Sequence, residues 1–416
     1  MSRRSLVRAV LTDITPLQSS ADYRRLWFGS TVSQLGQQMT AVAVAIQVYA
    51  LTESSFSVGL VGLFAFVPLV GFGLYGGAIA DAFDRRKLSL LSSTGLWVLS
   101  IALALQAFLH VDSVGLLYAI VAVQAACFAV NSPARSAIIP RLLPPEMLPA
   151  ANALSAASMN LGFTVGPLLG GVVYGWKGPA AAYTIDCVTF TAALYALWRL
   201  PPVPPLGEVR RAGLASVLEG LRYLRTRPNV LMTFLVDMCA MILAQPRALF
   251  PAIAISFYGG GTCTVGLLAA SPAMGALLAF AASGWVGRVR RQGLAVMICV
   301  IIYGASIAGL GLTNVLWIGV ALLALSGAAD IVSSVYRNTI LQVATPDAMR
   351  GRLQGVFIVV VAGGPRLGDF TSGSVASLST ESFAIVAGGC ACMIGVLLLG
   401  LHYRGFARYD ARHPVP

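Results

Sequence analysis

The sequence predicts an all-helical membrane protein in which twelve transmembrane helices form two pseudo-symmetric bundles of six. Three observations predict it: the composition, a series of long apolar runs with cationic residues at their ends, and a repeat that relates the two halves of the chain. Of the 416 residues, 57% are hydrophobic and only 11% are charged, whereas soluble proteins have about 25% charged residues. Most of the chain is therefore expected to lie in lipid. A soluble enzyme or a nucleic-acid-binding protein is excluded, in spite of the net charge of +12.

Long apolar runs divide the chain into candidate membrane spans. Each run is long enough to cross a bilayer, for which about 20 residues suffice. In chain order, spans 1 to 12 cover residues 26–51, 58–80, 88–109, 114–137, 150–174, 180–200, 230–258, 265–286, 294–312, 315–335, 353–374 and 383–402.

The longest polar interruption separates spans 6 and 7. It begins with several prolines and continues into a basic amphipathic stretch, which we expect to lie on the membrane surface. We therefore predict a division of the chain into five segments. These are a cytoplasmic N-terminal segment (1–25), an N-terminal six-helix bundle (26–200), a cytoplasmic central loop (201–229), a C-terminal six-helix bundle (230–402) and a cytoplasmic tail (403–416).

The cationic residues set the predicted orientation. Nearly all of the 28 Lys and Arg residues fall beside span ends that share one side of the membrane. We place Arg337 among them, beside the loop that follows span 10, whereas Lys177 lies on the other side. Because cytoplasmic loops are enriched in Lys and Arg, both termini are predicted to be cytoplasmic.

The two halves of the chain carry an internal repeat. A shift of 202 residues places Arg135 on Arg337 and Pro144 on Pro346. The same shift superimposes three glycine pairs, Gly162 on Gly364, Gly166 on Gly368 and Gly171 on Gly373. Parallel repeats related by an axis along the membrane normal are found in transporters. Chance matching in glycine-rich membrane sequence is the alternative.

A short charged loop joins spans 2 and 3. It reads Gly77-Ala78-Ile79-Ala80-Asp81-Ala82-Phe83-Asp84-Arg85-Arg86-Lys87, and its small residues let backbones approach closely. The pattern resembles the loop signature of the major facilitator superfamily, the large family of secondary transporters, with Asp84 where that signature has a glycine. The resemblance covers nearly the whole chain and implies the major facilitator fold and secondary transport.

The same resemblance implies a gate at this loop. In the superfamily, the loop aspartate faces the cytoplasmic end of a helix in the other half, and nearby cations join it in a charge network. The matching positions in this sequence are Gly77, Asp81, Arg85, Arg86 and Arg135. We predict that they stabilise an outward-open state; the alternative is that these charges only set the topology.

Span 5 contains a glycine-rich motif. It comprises Gly162, Gly166, Pro167, Gly170 and Gly171. Small residues four apart permit close helix packing, and the pattern resembles the signature of the antiporter branches of the superfamily, which mostly export. The segments 131–135, 151–154 and 332–352 narrow the resemblance to the branch that contains enterobactin exporters and macrolide-efflux proteins.

Several ionisable residues lie inside the spans, where they are costly and indicate function. Spans 1, 4, 7 and 10 line the central cavity of this fold, so we predict that Asp237 or Asp330, rather than Asp186, binds and releases a coupling proton. A hydrogen-bonded packing role is the alternative. Arg366 and Asp369 in span 11 are three residues apart, and we expect them to form a structural ion pair.

Amide side chains supply the candidate substrate site. Gln34 and Gln38 lie one turn apart on one face of span 1, and we expect Gln124 of span 4 and Arg247 of span 7 to join them. Amides and one cation in an apolar cavity suit a large, partly anionic molecule such as a siderophore. Hydrogen bonding between helices is the alternative role for the glutamines.

The predicted function is secondary active export of an amphiphilic small molecule, a siderophore by preference, by alternating access and proton antiport. A macrolide or multidrug efflux antiporter is the alternative within this class; a non-transporting membrane sensor or scaffold is the alternative from another. We expect a monomer in the bacterial inner membrane, whose partners are its substrate, the proton and the lipid bilayer. Three scattered histidines and seven cysteines without metal-ligand spacing predict no metal site, no cofactor and no enzymatic activity.

Overall fold

The structure, a computed structural model, describes residues 13–204, 214–282, 289–344, 353, 356 and 358–410. Within these ranges it leaves out the side chains of residues 74, 76–78, 80–82, 214–218, 220 and 358–359. The side chains of two predicted gate residues, Gly77 and Asp81, therefore lie outside the described part of the protein, as do residues 345–352 of the third segment that carries the family resemblance.

The first half of the chain folds into long helices. These are α1 (Ala21–Thr52), α2 (Ser55–Ala82), α3 (Arg85–Phe108), α4 (Val114–Leu142) and a further helix over Leu148–Trp198. The last helix is broken at Gly178, whose φ of 76° glycine adopts without strain. We name its two parts α5 (148–177) and α6 (179–198). A short helix, Thr15–Ser19, precedes α1.

The second half repeats this pattern after a loop helix, Leu214–Arg225. Its helices are α7 (Pro228–Ser256), α8 (Thr262–Ala281), α9 (Gln292–Leu310), α10 (Leu316–Ala344), α11 (358–378) and α12 (Glu381–His402). Each predicted apolar run overlaps one of α1–α12. Within the described residues, nine helices are long and apolar enough to cross a bilayer. The all-helical membrane fold is therefore confirmed.

Short polar side chains start several of these helices. Ser54 and Thr380 cap α2 and α12 by accepting hydrogen bonds from backbone amides of the first turn. Asp84 does the same for α3, because its carboxylate accepts from the amides of Arg86 and Lys87 over 2.9 and 3.2 Å. The residue that replaces the glycine of the loop signature is thus a helix cap, a role that aspartate fills well.

Each half has its own hydrophobic core, and two helices take part in both. Val42 and Ile46 of α1 are buried in the core of the second half. Ala248 of α7 is buried in the core of the first half. The repeat-related helices α1 and α7 therefore lie where the two halves meet.

Candidate transport pathway

The two halves close against each other at one end through two helix pairs. In the first pair, Gly59 and Gly62 of α2 lie against the backbone of Asp369 and Arg366 of α11. A Cβ atom built at Gly59 would lie only 2.7 Å from the Asp369 carbonyl oxygen. Glycine therefore lets α2 and α11 approach at backbone contact distance.

A polar contact accompanies this glycine contact. Ser55, at the start of α2, donates its hydroxyl hydrogen to the Glu381 carboxylate at the start of α12 over 3.1 Å. The bond joins the two halves across the same end of the molecule.

The second pair, α5 with α8, closes the same end. Gly171 of the span 5 motif and Gly266 of α8 lie against each other's backbone, and Gly266 also contacts Pro167. Thr262 of α8 donates from Oγ1 to the Gly171 carbonyl oxygen over 2.8 Å. Gly175, one turn further along α5, lies beside the same threonine.

The other glycines of the span 5 motif face α1. Gly162 lies against the side chain of Gln34, and Gly166 against that of Gln38. Gly170 lies against the backbone of Met39. The motif thus packs α5 between α1 of its own half and α8 of the other half, and it positions two of the predicted cavity glutamines.

Helix α7 is interrupted near its middle. Regular helix ends at Met238, a wide turn covers Cys239–Leu243, and the chain then runs without helix until Arg247–Leu249. Tyr303 of α9, in the same half, donates its hydroxyl hydrogen to Gln245 Oε1 over 3.3 Å. This bond holds the broken segment against α9. Arg247, immediately after the break, is exposed. Interrupted helices of this kind form the binding sites of many transporters.

The predicted ion pair between Arg366 and Asp369 is wrong. Arg366 Nη1 donates instead to the carbonyl oxygen of Ala362, one turn earlier in α11, over 2.7 Å. Asp369 Oδ1 is buried and, among the described residues, has no hydrogen-bond partner. Both side chains lie within electrostatic range of Arg247. The guanidinium groups of Arg247 and Arg366 therefore lie near the Asp369 carboxylate where α11 meets α2 and α7, and no ion pair joins them among the described residues.

The four predicted cavity residues are only partly brought together. Gln34 and Gln38 are half-buried on neighbouring turns of α1, and Gln124 is half-buried in α4. Within the described part of the chain, no hydrogen bond joins Gln124 to Gln34, Gln38 or Arg247. Arg247 lies on the opposite half at the break in α7. A cavity role for these four residues stays a prediction.

The two predicted proton carriers share one arginine. Arg337 Nη1 bonds Asp237 Oδ1 of α7, and Arg337 Nη2 bonds Asp330 Oδ1 over 3.2 Å. We call these three residues the charged triad. Its side chains differ in exposure, which is 6% for Asp237, 12% for Arg337 and 37% for Asp330. A small cavity adjoins the triad and is lined in part by Thr233, Ser334 and Asn338.

The position predicted for Arg337 beside a loop is wrong, and its role in the triad was missed. Helix α10 continues to Ala344, beyond the end of the apolar run, so Arg337 lies two turns inside the helix. The sequence contained the signal, because Asp330 and Arg337 are seven residues apart and seven residues make two helical turns on one face. A cation at that distance from a membrane carboxylate is a candidate partner.

The described gate residues bond within the first half. Arg85 Nη1 donates to the Ala137 carbonyl oxygen of α4 over 3.4 Å. Arg86 donates to the carbonyl oxygens of Leu197 and Trp198, where α6 ends. Arg135 is half-buried in α4, and its Nε has no hydrogen-bond partner among the described residues. The charge network with Asp81 stays a prediction, since that side chain is outside the described part.

Asp186 lies apart from these groups, in the interior of the first half. It is 1% exposed and packs against Gly36 of α1. Ser100 of α3 donates to its Oδ2 over 2.7 Å. This carboxyl group therefore connects α1, α3 and α6, while its Oδ1 has no hydrogen-bond partner among the described residues. Its rank among the proton carriers stays a prediction.

This arrangement, two repeat-related helical halves joined at one end with an interrupted helix where they meet, is the fold of membrane transporters of the major facilitator type. Solved transporter structures share the fold. The POT family transporter PepTSo aligns with a TM-score of 0.75 at 14% identity, over 94% of this chain and 99% of that one. A bacterial homologue of the human lysosomal transporter Spinster, in an inward-facing conformation, aligns with a TM-score of 0.70 at 16% identity, over 94% and 97%.

The family follows from the sequence comparisons. The model of the family described as transmembrane secretion effector matches residues 11–410, so the chain belongs to this family of the major facilitator superfamily. The enterobactin exporter EntS of Citrobacter koseri is 29% identical over 407 residues, which are 98% of this chain and 97% of the relative. The enterobactin exporter EntS of Shigella boydii is 29% identical over 391 residues, 94% of each chain. The protein is thus a multi-pass membrane transporter related to exporters over its full described length.

Proposed function

We propose that this protein is a secondary active exporter that moves a siderophore out of the cytoplasm by alternating access and proton antiport. The observation that carries the proposal is the full-length similarity to proteins named enterobactin exporters. The substrate comes from those relatives. The conformational cycle and the coupling are inferred from the geometry of this chain.

The proposed topology has twelve crossings in the bacterial inner membrane, with both termini in the cytoplasm. Dividing the long helix at Gly178 and adding α1 and α11 to the apolar helices already identified brings the crossings to twelve. The bundles then comprise residues 26–200 and 230–402, joined by a cytoplasmic loop at 201–229. No intersubunit contact is needed for this arrangement, so we propose that it works as a monomer.

With this topology the closed end is periplasmic, because α1 leads outward and α2 therefore begins on the outer side. Ser55, Gly59, Gly171 and Thr262 then form the outer seal, and the described conformation is inward-facing. Export requires this seal to open while the inner end closes. We propose that Gly77, Asp81, Arg85, Arg86 and Arg135 stabilise that second, outward-open state.

We propose that the substrate binds where the halves meet, at the break in α7. Arg247 is exposed there, and Arg366 adds a second guanidinium group near it. One carboxylate, Asp369, offsets only part of this positive charge. The site therefore suits an anionic group of a siderophore, with Gln34, Gln38 and Gln124 as hydrogen-bonding partners from the first half.

Transport by purified protein in liposomes tests the proposal. Liposomes in which the protein transports enterobactin inward are expected to accumulate it when their interior is acidic. The Arg247→Gln variant is expected to accumulate less. Gly71→Leu is the control variant, since nothing lies within 4 Å of a Cβ at this position. Accumulation of a macrolide but not enterobactin would favour drug efflux. If neither compound moves faster than in protein-free vesicles, the transporter proposal fails, and a sensor or scaffold becomes the better reading.

A further inference from the structure

We propose that Asp330 exchanges the coupling proton with water, and that Arg337 is the positioning residue that ties this event to α7 through Asp237. The inference rests on the proposed proton antiport. It assigns different roles to the two carboxylates that the sequence left equivalent, and it adds a residue that the sequence analysis placed at a loop.

The first step of the argument is charge. The triad contains two carboxyl groups and one guanidinium group, so one negative charge has no counterion within it. An uncompensated charge inside a membrane protein is costly. Binding one proton makes the triad neutral. A group that alternates between these two forms can therefore carry a proton between the two sides.

The second step is access. The Asp237 side chain is 6% exposed, whereas that of Asp330 is 37% exposed. Asp237 and Asp330 bond different nitrogens of Arg337, so one bond can weaken while the other persists. Asp330 is thus the more exposed of the two carboxyl groups, whereas Asp237 is enclosed except where the small cavity reaches it. The geometry therefore makes Asp330 the exchanging group and Asp237 the fixed partner that holds Arg337.

The third step is connection. Arg337 and Asp330 lie on α10, but Asp237 lies on α7, ahead of the break that presents Arg247. Protonation of Asp330 removes one of the two anionic partners of Arg337 and leaves the guanidinium group to Asp237 alone. The balance of contacts between α10 and α7 changes with it. The proton thus acts on α7, the helix that carries the proposed substrate contact Arg247. It does so without contacting the substrate itself.

Other groups face the triad from the neighbouring helix α9. Cys299 and Tyr303 are within electrostatic range of Asp330, and Tyr303 is also near Asp237 and Arg247. The cavity beside the triad is lined by hydroxyl and amide groups as well as by Asp237 and Arg337. Neither α9 residue brings a second cation. Arg337 is thus the only cation that bonds the two carboxylates among the described residues.

The test compares proton release with transport. Purified protein in weakly buffered detergent solution receives enterobactin, and a pH indicator reports the protons released on binding. The wild type is expected to release protons, and Asp330→Asn to release none while still binding enterobactin. In liposomes, Asp330→Asn is expected to keep substrate exchange between the two sides and to lose accumulation driven by a pH gradient.

The remaining variants distinguish a positioning role of Arg337 from a purely structural one. Arg337→Gln is expected to bind enterobactin but to uncouple exchange from pH, and Arg337→Lys to restore part of the wild-type pH profile. Asp22→Asn is the matched control, because Asp22 pairs with Arg25 at the surface over 3.2 Å. If Asp330→Asn misfolds, Asp330→Glu must show a displaced pH profile for proton release.

Two outcomes overturn the inference, and they are distinguishable. Unchanged proton release and gradient-driven transport in Asp330→Asn would remove Asp330 from the coupling while the proposed function stands. A wild type that transports enterobactin with no proton release and no response to a pH gradient would remove proton antiport itself, and the inference with it.

Discussion

Arg135 and Arg337 occupy equivalent positions in the two halves of the chain, yet their surroundings differ. Arg337 is bonded to two carboxylates. Arg135 has a buried Nε without a partner among the described residues. The positions that match Asp237 and Asp330 in the first half hold Leu35 and Phe128. The repeat has thus kept the helices and the arginine, while the carboxylates occur only in the second half.

This difference suggests that the two halves have different functions although they share one architecture. The interior carboxyl group of the first half, Asp186, is bonded by a hydroxyl group and packs inside its own bundle. The carboxyl groups of the second half share a cation, and Asp330 is the more exposed of the two. Proton coupling therefore belongs to the second half in this account, and the first half supplies the loop gate and the span 5 motif.

The largest effect is expected from breaking the triad. Arg337→Gln leaves Asp237 buried without its cation, and loss of one partner of a buried pair costs about 3–5 kcal/mol. Arg135→Gln removes no described ion pair and should cost far less. The two midpoint temperatures Tm, measured in detergent by fluorescence-detected size exclusion, compare the positions directly. Equal losses of stability in the two variants would contradict the comparison.

The next effect concerns the seal that both halves build together. Gly62→Leu places a side chain against the backbone of α11, and overpacking of this kind costs about 1–3 kcal/mol. The cost falls on the state closed at the outer end, so the outward-open state should become more populated. A single cysteine at Thr262 in a cysteine-free background should then react faster with an impermeant maleimide. Gly71→Leu, in the open part of α2, should leave that rate unchanged.

A designed pair can sharpen the comparison. Leu35→Asp gives the first half a carboxylate at the position that matches Asp237. If the repeat is geometrically faithful, the new carboxylate meets Arg135, and a double-mutant cycle with Arg135→Gln should give a favourable coupling of about 0.5–3 kcal/mol. The measurement is chemical or thermal unfolding of all four proteins. A coupling energy of zero would show that Arg135 and Arg337 do not have equivalent orientations in their two halves.

The smallest effect is expected at the loop of the first half. Asp84→Ala removes the cap of α3 and should cost about 1 kcal/mol, whereas Asp84→Gly should cost only a few tenths. The matching helix of the second half, α9, follows Arg291, whose side chain makes no capping hydrogen bond in the described part of the chain. Tm values of the two variants check the order. A larger loss for glycine than for alanine would argue against the capping role.

Much of the fold could be predicted because lipid imposes it. Helices are the only elements that satisfy their own backbone bonds in a bilayer without closing into a barrel, so long apolar runs fix where they lie. The cap at Asp84 follows from residue type. The break in α7 was harder to predict, since Pro246 is an ordinary residue in a membrane helix and the sequence does not show that Tyr303 holds the break.

Spacing and charge alone do not decide which side chains meet. The pattern of cations places Arg337 at a loop, because the apolar run ends before the helix does. Spacing of three residues predicted a pair between Arg366 and Asp369, but the Arg366 side chain follows the helix back to Ala362. Side-chain direction and the neighbouring helices decide such contacts, and neither is visible in a single span.

The most direct test of alternating access uses a disulfide across the outer seal. The Cβ of Thr262 lies 3.9 Å from a Cβ built at Gly175, a separation that disulfides favour. In a cysteine-free background, oxidised Gly175→Cys/Thr262→Cys protein should lose enterobactin transport in liposomes, and reduction should restore it. The single variants should transport under both conditions. Undiminished transport with the disulfide fully formed would contradict the account.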